Sequence, residues 1–388
     1  MKISTIPNDN ALYIKENSIC GMCYHCLSKN VTKNECLDCH NDGRTLYYLE
    51  RTINIKKHTL KMMFKLSIEQ ERLSKIFLEH FLHHKNAFLY AVCGSGKTEI
   101  MYESILCCLN RGLKPLIAIP RKEIVRELYE RLIKVFPDTN ISFLDGSHHS
   151  DEGELVISTV NQLINYEDEF DLVILDEMDA YPFFGSEYLH RLLMKSLKKD
   201  GVLFLMSATI KEKVHCDIYT LKRRYHGHEL SMPKFIKIEK EESARLGAIH
   251  NIIKGSNRKF VIYVSSINKA KKLARELGVQ MISSTSLDPS RIIGHFKIND
   301  EEILVSTTIL ERGITIPNLD VIVLDADSPI FTYQTLIQIS GRVGRSYADP
   351  DGNIYILYER NQLKFILVKN YIRRMNKCDV PFVESPSK

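Results

Sequence analysis

Ala87-Phe88-Leu89-Tyr90-Ala91-Val92-Cys93-Gly94-Ser95-Gly96-Lys97-Thr98-Glu99 is the stretch from which the fold class is read. Residues 87–92 form an uninterrupted apolar run, the length of a buried strand. Cys93-Gly94-Ser95-Gly96 is a glycine-rich turn, and a helix is expected from Lys97 to near Gly112. Strand, glycine-rich loop and helix in that order make a phosphate cradle. The backbone N–H groups around Gly94, Ser95 and Gly96 and the helix start wrap an anion, Lys97 reaches the β- and γ-phosphates, and the Thr98 hydroxyl holds Mg²⁺. ATP with Mg²⁺ is therefore the expected ligand. Ala91 stands where such loops usually carry their first glycine, and it too is small.

Outward from this loop, apolar runs at 116–119, 154–157, 172–175 and 202–206 alternate with helical patterns. In one such pattern Ile124, Leu128 and Leu132, with Val125 and Val135, share a face. The alternation predicts a mostly parallel sheet covered by helices, an α/β fold. It then starts again. Strands are expected at 260–264, 279–282, 303–305, 321–324 and 354–357, with helices around 270–277, 291–296, 332–339 and 363–374. The expected organisation is a cysteine-rich module over 1–45, a basic and aromatic linker over 46–65, a first lobe over 66–232 and a second over 233–388. The joint is read near the polar stretch 237–243 that follows Pro233. At 388 residues and 44% hydrophobic, the chain has enough apolar surface for two cores, which excludes a disordered chain or a disulfide-dense miniprotein. A net charge of +5 permits a nucleic-acid partner without demanding one. No apolar h-region opens the N-terminus and no uncharged run approaches the ~18 residues of a membrane span, so a cytosolic chain is expected.

Leu172-Val173-Ile174-Leu175 runs straight into Asp176-Glu177-Met178-Asp179. Two carboxylates at a strand end beside a phosphate loop suit Asp176 to Mg²⁺ and Glu177 to the attacking water. Asp179 is matched to Ser207-Ala208-Thr209, which ends the following strand. In the second half, Gln338-Ile339-Ser340-Gly341-Arg342-Val343-Gly344-Arg345 closes an expected helix. Its glycines let the backbone approach another surface, so that Arg342 and Arg345 serve as arginine fingers on the transferred phosphoryl group, worth ~10³–10⁵ in rate. Hydrolysis supplied from two lobes is coupled to their motion.

Cys23-Tyr24-His25-Cys26 and Cys36-Leu37-Asp38-Cys39 are two CxxC pairs with nine residues between them. Cys23, Cys26, Cys36 and Cys39 are ranked first as the ligands of a closed tetrahedral Zn²⁺ site. Cys20 forms a third CxxC with Cys23, and His25 and His40 also stand close in sequence, so these compete for a place in the set.

Taken in order, these segments resemble the superfamily 2 helicases and translocases. The resemblance implies two tandem RecA-like lobes. It also assigns Pro120-Arg121, Ser158-Thr159 and 307–315 as further motifs, and 338–345, with Gln338, as part of the nucleotide site. Leu66-Ser67 with Gln70 is similar to the adenine-reading element of that superfamily, which places Gln70 on the base. Ala91-Val92-Cys93-Gly94-Ser95-Gly96-Lys97-Thr98-Glu99, Asp176-Glu177-Met178-Asp179-Ala180-Tyr181-Pro182-Phe183 and Thr307-Thr308-Ile309-Leu310-Glu311-Arg312-Gly313 together resemble one branch, the ComFA-type late-competence proteins. That family has a four-cysteine zinc module ahead of its lobes. The resemblance implies a single-stranded DNA motor for DNA uptake in bacterial transformation. It also implies other competence proteins as partners, work at the cytosolic face of the membrane, and strand contacts by Arg121, Thr159, Thr307 and Thr308. Tyr47, Tyr48 and Phe64, interleaved with basic residues, suit base stacking as well as they suit a packed linker. The alternatives are a primosome-type or other superfamily 2 DNA helicase, and a zinc-anchored DNA-binding clamp that binds ATP with little turnover.

Overall fold

The strand Ala87–Ala91 is buried along its whole length, so both of its faces must be covered. In the computed structural model, which describes residues 1–4, 11–15, 22–31, 35–40, 45–49, 55–146, 153–209, 214–298, 302–307, 316–345, 348–377 and 383–384, it lies inside an eight-stranded sheet. The order across that sheet is Val383–Glu384, Asp217–Leu221, Ala87–Ala91, Leu197–Ser207, Phe170–Leu175, Pro115–Ile119, Leu155–Thr159 and Ile141–Leu144. The neighbours from Ala87–Ala91 to Ile141–Leu144 all run parallel, with Leu89 opposite Met206, Leu175 opposite Leu205, and Ile119 opposite Thr159. Parallel strands put their loops at one edge, where ligands of α/β sheets bind. The phosphate loop, the carboxylates after Leu175, the Ser207–Thr209 turn and Arg121 all follow strand ends at that edge.

Helices complete this part. Ile68–Leu82 starts with a capping box, in which the Ser67 hydroxyl accepts the Gln70 N–H at 3.3 Å and the Gln70 side-chain oxygen accepts the Ser67 N–H at 2.9 Å. The expected helix from Lys97 to near Gly112 is divided into Lys97–Ile100 and Tyr102–Asn110. The break is at Met101, whose N–H bonds back three residues to Thr98.

The second sheet has six strands, all parallel, in the order Lys234–Lys237, Ile354–Tyr358, Leu319–Val323, Lys259–Tyr263, Ile303–Ser306 and Gln280–Ile282. Phe260, Ile262 and Val264 pack with Ala270, Leu273 and Ala274 of the helix Ile267–Leu277. Ser266 caps that helix and Gly278 ends it in the left-handed region.

The chain groups into two units. One comprises Met1–Tyr90, Lys97–Thr220 and Phe382–Lys388; the other comprises Leu221–Pro381 together with Ala91–Gly96. An antiparallel three-stranded sheet, Lys2–Ser4, Leu46–Leu49 and Ala11–Lys15, belongs to the first unit. Its central strand begins the stretch expected to be a linker, and Tyr48 there is fully buried, with its hydroxyl donating to Glu167 at 3.0 Å. Tyr48 is thereby unavailable for base stacking. Among the described residues no helix is long and apolar enough to cross a membrane.

Candidate nucleotide site and cysteine cluster

In the first unit, Lys97 opens its helix with Nζ 3.6 Å from Asp176 Oδ1. Asp176 also accepts the Glu177 N–H at 2.8 Å. Burial raises the Asp176 carboxyl above the ordinary range; Lys97 pulls it back, and the charge of Glu177 adds to the rise. One lysine at this distance does not compensate a half-buried carboxylate fully, so the donor set fits a divalent cation held by Asp176 with the Thr98 hydroxyl. Glu177 has a φ of +56°, a left-handed conformation that costs a non-glycine residue roughly 1–2 kcal/mol. The backbone thus turns sharply as it leaves the strand. Two residues on, Asp179 accepts the Thr209 hydroxyl at 2.5 Å, while the Thr209 N–H donates to Ser207 Oγ at 3.1 Å. The carboxylate turn and the end of the neighbouring strand are therefore tied directly, as the sequence suggests.

Residues Ala91–Gly96 belong to the second unit, and there they meet the 338–345 segment. Gly94 has a φ of +78°, open to glycine at no cost and strained for any other residue. A Cβ built on it would lie 3.2 Å from Arg345 Cγ. Gln338, on the helix Tyr333–Ser340, accepts the Cys93 thiol at 3.0 Å. A Cβ on Gly341 would fall 2.2 Å from Cys93 Cβ, so only glycine permits this approach. Of the predicted second-half residues, Gln338 and Arg345 are at the loop, and Arg342 is buried beside them in sequence. Two further participants are given no role by the motifs read from the sequence: Cys93, through its thiol, and Arg224, whose Nη1 donates to Val343 O at 2.6 Å. The run Lys222-Arg223-Arg224 was the available signal for the second.

Gln70 is 1% exposed. Its side-chain oxygen serves the capping box, so the Ser67-x-x-Gln70 spacing also carries a helix-start signal. Arg121 precedes the helix Lys122–Val135, and Thr159 ends the strand adjacent to Pro115–Ile119; the two follow neighbouring strand ends in the first unit. Thr307 follows Ile303–Ser306 in the second unit, its N–H bonded to Ile282 O at 3.3 Å. Thr308 and the rest of that motif to 315 lie outside the described residues, as does Cys20.

The sulfurs of Cys23, Cys26, Cys36 and Cys39 all lie within 4.8 Å of one another. Cys23 to Cys39 and Cys26 to Cys36 are each 3.6 Å. That is far beyond a disulfide and close to the ~3.8 Å edge of a tetrahedron with ~2.3 Å metal–sulfur bonds. Thiols crowded this way resist ionising, and Cys26 is pushed up chiefly by its contacts with Cys23 and Cys39. A soft cation would remove that penalty, and Zn²⁺ is compatible with the set. His25 and His40 are not in the cluster: the His25 carbonyl accepts from Lys195 at 2.6 Å, and His40 Nδ1 pairs with Glu35 at 2.9 Å. Asp38, inside the second knuckle, accepts from Ser28 at 2.6 Å and from Arg191 at 2.6 Å, which fastens the module to the helix Glu187–Ser196.

Residues 71–216 match the DEAD/DEAH box helicase family, and residues 244–347 match the helicase conserved C-terminal domain. Competence protein ComFA of Streptococcus pneumoniae is 32% identical over 357 residues, covering 86% of this chain and 82% of that protein. The Bacillus subtilis protein of the same name is 32% identical over 384 residues, covering 91% and 82%. Among solved structures, S. cerevisiae Dbp5 bound to RNA and ADP BeF3 shares the fold, with a TM-score of 0.59 at 17% identity over 80% of this chain and 92% of that one. With both helicase domains matched, the four cysteines gathered and relatives of this identity along most of its length, the chain belongs to the ComFA family of competence proteins and is a helicase-type, ATP-dependent ATPase.

Proposed function

We propose that the chain is an ATP-driven motor that moves along single-stranded DNA and helps bring transforming DNA into the cytosol. The observation that carries this is Lys97 beside a half-buried Asp176 at the sheet edge where the phosphate loop ends. Lys97 holds the β- and γ-phosphates, Gly94, Ser95 and Gly96 present N–H groups to them, and Thr98 with Asp176 would hold Mg²⁺, which neutralises phosphate charge when bound. Glu177 orients the attacking water. Arg342 and Arg345 offset the charge that develops on the transferred group, and Gln338 keeps the segment that leads to them on the loop. Gln70, in the first turn of the helix Ile68–Leu82, reads the base. Cys23, Cys26, Cys36 and Cys39 hold a structural Zn²⁺. Arg121, Thr159, Thr307 and Thr308 contact the DNA backbone, with Arg121 supplying the charge. The setting, as the family resemblance implies, is the cytosolic face of the membrane alongside other competence proteins.

The test is the steady-state ATPase rate of the purified protein with no nucleic acid, with single-stranded DNA and with RNA of matched sequence. Stimulation by single-stranded DNA well above RNA is expected. A rate indifferent to all three sinks the motor and favours the ATP clamp.

A further inference from the structure

Arg224 lies in Leu221-Lys222-Arg223-Arg224-Tyr225-His226, just past the strand Asp217–Leu221. It is 2% exposed, an unusual place for an arginine. Its Nη1 donates to the carbonyls of Val343 and Gly344. Its Nε and Nη2 are buried with no hydrogen-bond partner, and among the described residues no carboxylate pairs with it. Nε lies 3.9 Å from where a Cβ on Gly94 would stand, and Arg345 Cγ lies 3.2 Å from the same point. Two arginines therefore converge on the bare backbone of the phosphate loop. Arg345 likewise makes no ion pair among the described residues. Burial brings the Arg224 guanidinium down to about 10, with Cys93 opposing and Arg345 adding to the fall, so it remains charged at neutral pH.

A buried cation with two idle donors is costly, and the cost is offset when an anion with two acceptors arrives. A guanidinium fork presents Nε and one terminal nitrogen side by side, matching two oxygens of a phosphate. A purely structural brace needs only Nη1, which already serves the 343–344 backbone. Arg345 is the group expected at the transferred phosphoryl, and Arg224 reaches the same glycine, which favours the terminal phosphate over the inner two.

We propose that Arg224 is a further nucleotide-binding residue, its Nε and Nη2 donating to two oxygens of the terminal phosphate of ATP while Nη1 holds the backbone that carries Arg345. This rests on the phosphate-loop assignment above, and it adds a consequence: the residue that senses the terminal phosphate also anchors the segment bearing an arginine finger.

The test compares binding of Mg²⁺–AMP-PNP and Mg²⁺–ADP to the full chain, wild type, Arg224→Gln and Arg224→Lys, with the melting temperature of each. Arg224→Gln should weaken AMP-PNP about tenfold or more and leave ADP within about twofold. Its nucleotide-free melting temperature should change little, since removal of a buried unpaired charge offsets loss of the Nη1 bonds to Val343 and Gly344. Arg224→Lys keeps the charge but loses the fork, and should also lose most of the preference for AMP-PNP. Equal loss of both nucleotides, or no loss of either, overturns the proposal. Should Arg224→Gln not fold, Arg224→Lys carries the same comparison. If neither folds, a wild type whose melting temperature rises no more with AMP-PNP than with ADP overturns it, and a larger rise with AMP-PNP supports it. A wild type that binds neither nucleotide overturns the phosphate-loop assignment itself, whereas a wild type that binds both, beside variants that match it, overturns only the role of Arg224.

Discussion

Asp176 is half-buried beside Lys97 and Glu177, and its carboxyl titrates above the ordinary range because loss of solvent disfavours the charge. The unfolded chain ionises it near the usual ~3.9, and the folded chain at a higher pH. Between those two values the folded state holds a proton that the unfolded state has released, so stability from this group falls as pH rises through that window. Asp176→Asn should therefore abolish hydrolysis yet melt no lower than wild type at pH 7 without nucleotide. Its advantage should shrink as pH drops toward 4, where the wild-type carboxyl is protonated as well. A variant that melts several degrees lower at pH 7 would mean that the Lys97 contact outweighs the burial cost. Gly341 makes a second prediction at this scale. Gly341→Ala sets a methyl group 2.2 Å from Cys93 Cβ and 2.9 Å from its sulfur, an overlap that costs about 1–3 kcal/mol in a packed site. It should lower the melting temperature and the ATPase rate together, and Cys93→Gly in the same chain should restore part of the stability.

At the scale of elements, the cysteine module gathers four sulfurs fit for a metal and is reached by side chains from far along the chain. Metal analysis should give one zinc per chain for the wild type and none for Cys36→Ser, whose module should unfold, because four cysteines and short turns replace a core there. Arg191→Ala should behave differently. It breaks the 2.6 Å pair with Asp38, worth about 1 kcal/mol for a partly exposed bridge, so zinc should stay while proteolysis of the module accelerates. Unchanged protection would mean that Lys195, on the His25 carbonyl, suffices alone.

These cases show what was legible in the sequence. The two CxxC pairs, the phosphate loop and the acidic strand end declare themselves through local spacing, since each is formed by residues a few positions apart. Asp38 with Arg191 and Lys195 with His25 are 153 and 170 residues apart, and no local pattern joins them. The strand Leu197–Ser207 was anticipated only from Val202, because its first half, Leu197-Lys198-Lys199-Asp200-Gly201, is polar and partly exposed. The strands Asp217–Leu221 and Lys234–Lys237, both sparsely buried, were missed for the same reason. Tyr48 stays open between stacking and packing in the sequence because its partner Glu167 is remote.

Over the whole molecule, the question is whether gripping DNA and hydrolysing ATP depend on the same residues. Lys97 belongs to the loop-to-helix junction after Ala87–Ala91, whereas Arg121 and Thr159 follow two adjacent strands separated from it in the sheet by Leu197–Ser207 and Phe170–Leu175. A strand held by phosphate contacts at Arg121 and its neighbours should be held without nucleotide, with an affinity that falls as salt rises because counterions are released. Lys97→Ala should then abolish hydrolysis while leaving nucleotide-free affinity for single-stranded DNA, and its salt dependence, within about twofold of wild type. Arg121→Ala should do the reverse, flattening the salt dependence by close to one phosphate contact and lowering DNA-stimulated turnover only through weaker binding, so that saturating DNA restores the rate. If Lys97→Ala instead lost DNA binding in the absence of nucleotide, the phosphate loop itself would be part of the track. The assignment of DNA contacts to Arg121, Thr159, Thr307 and Thr308 would then have to be abandoned.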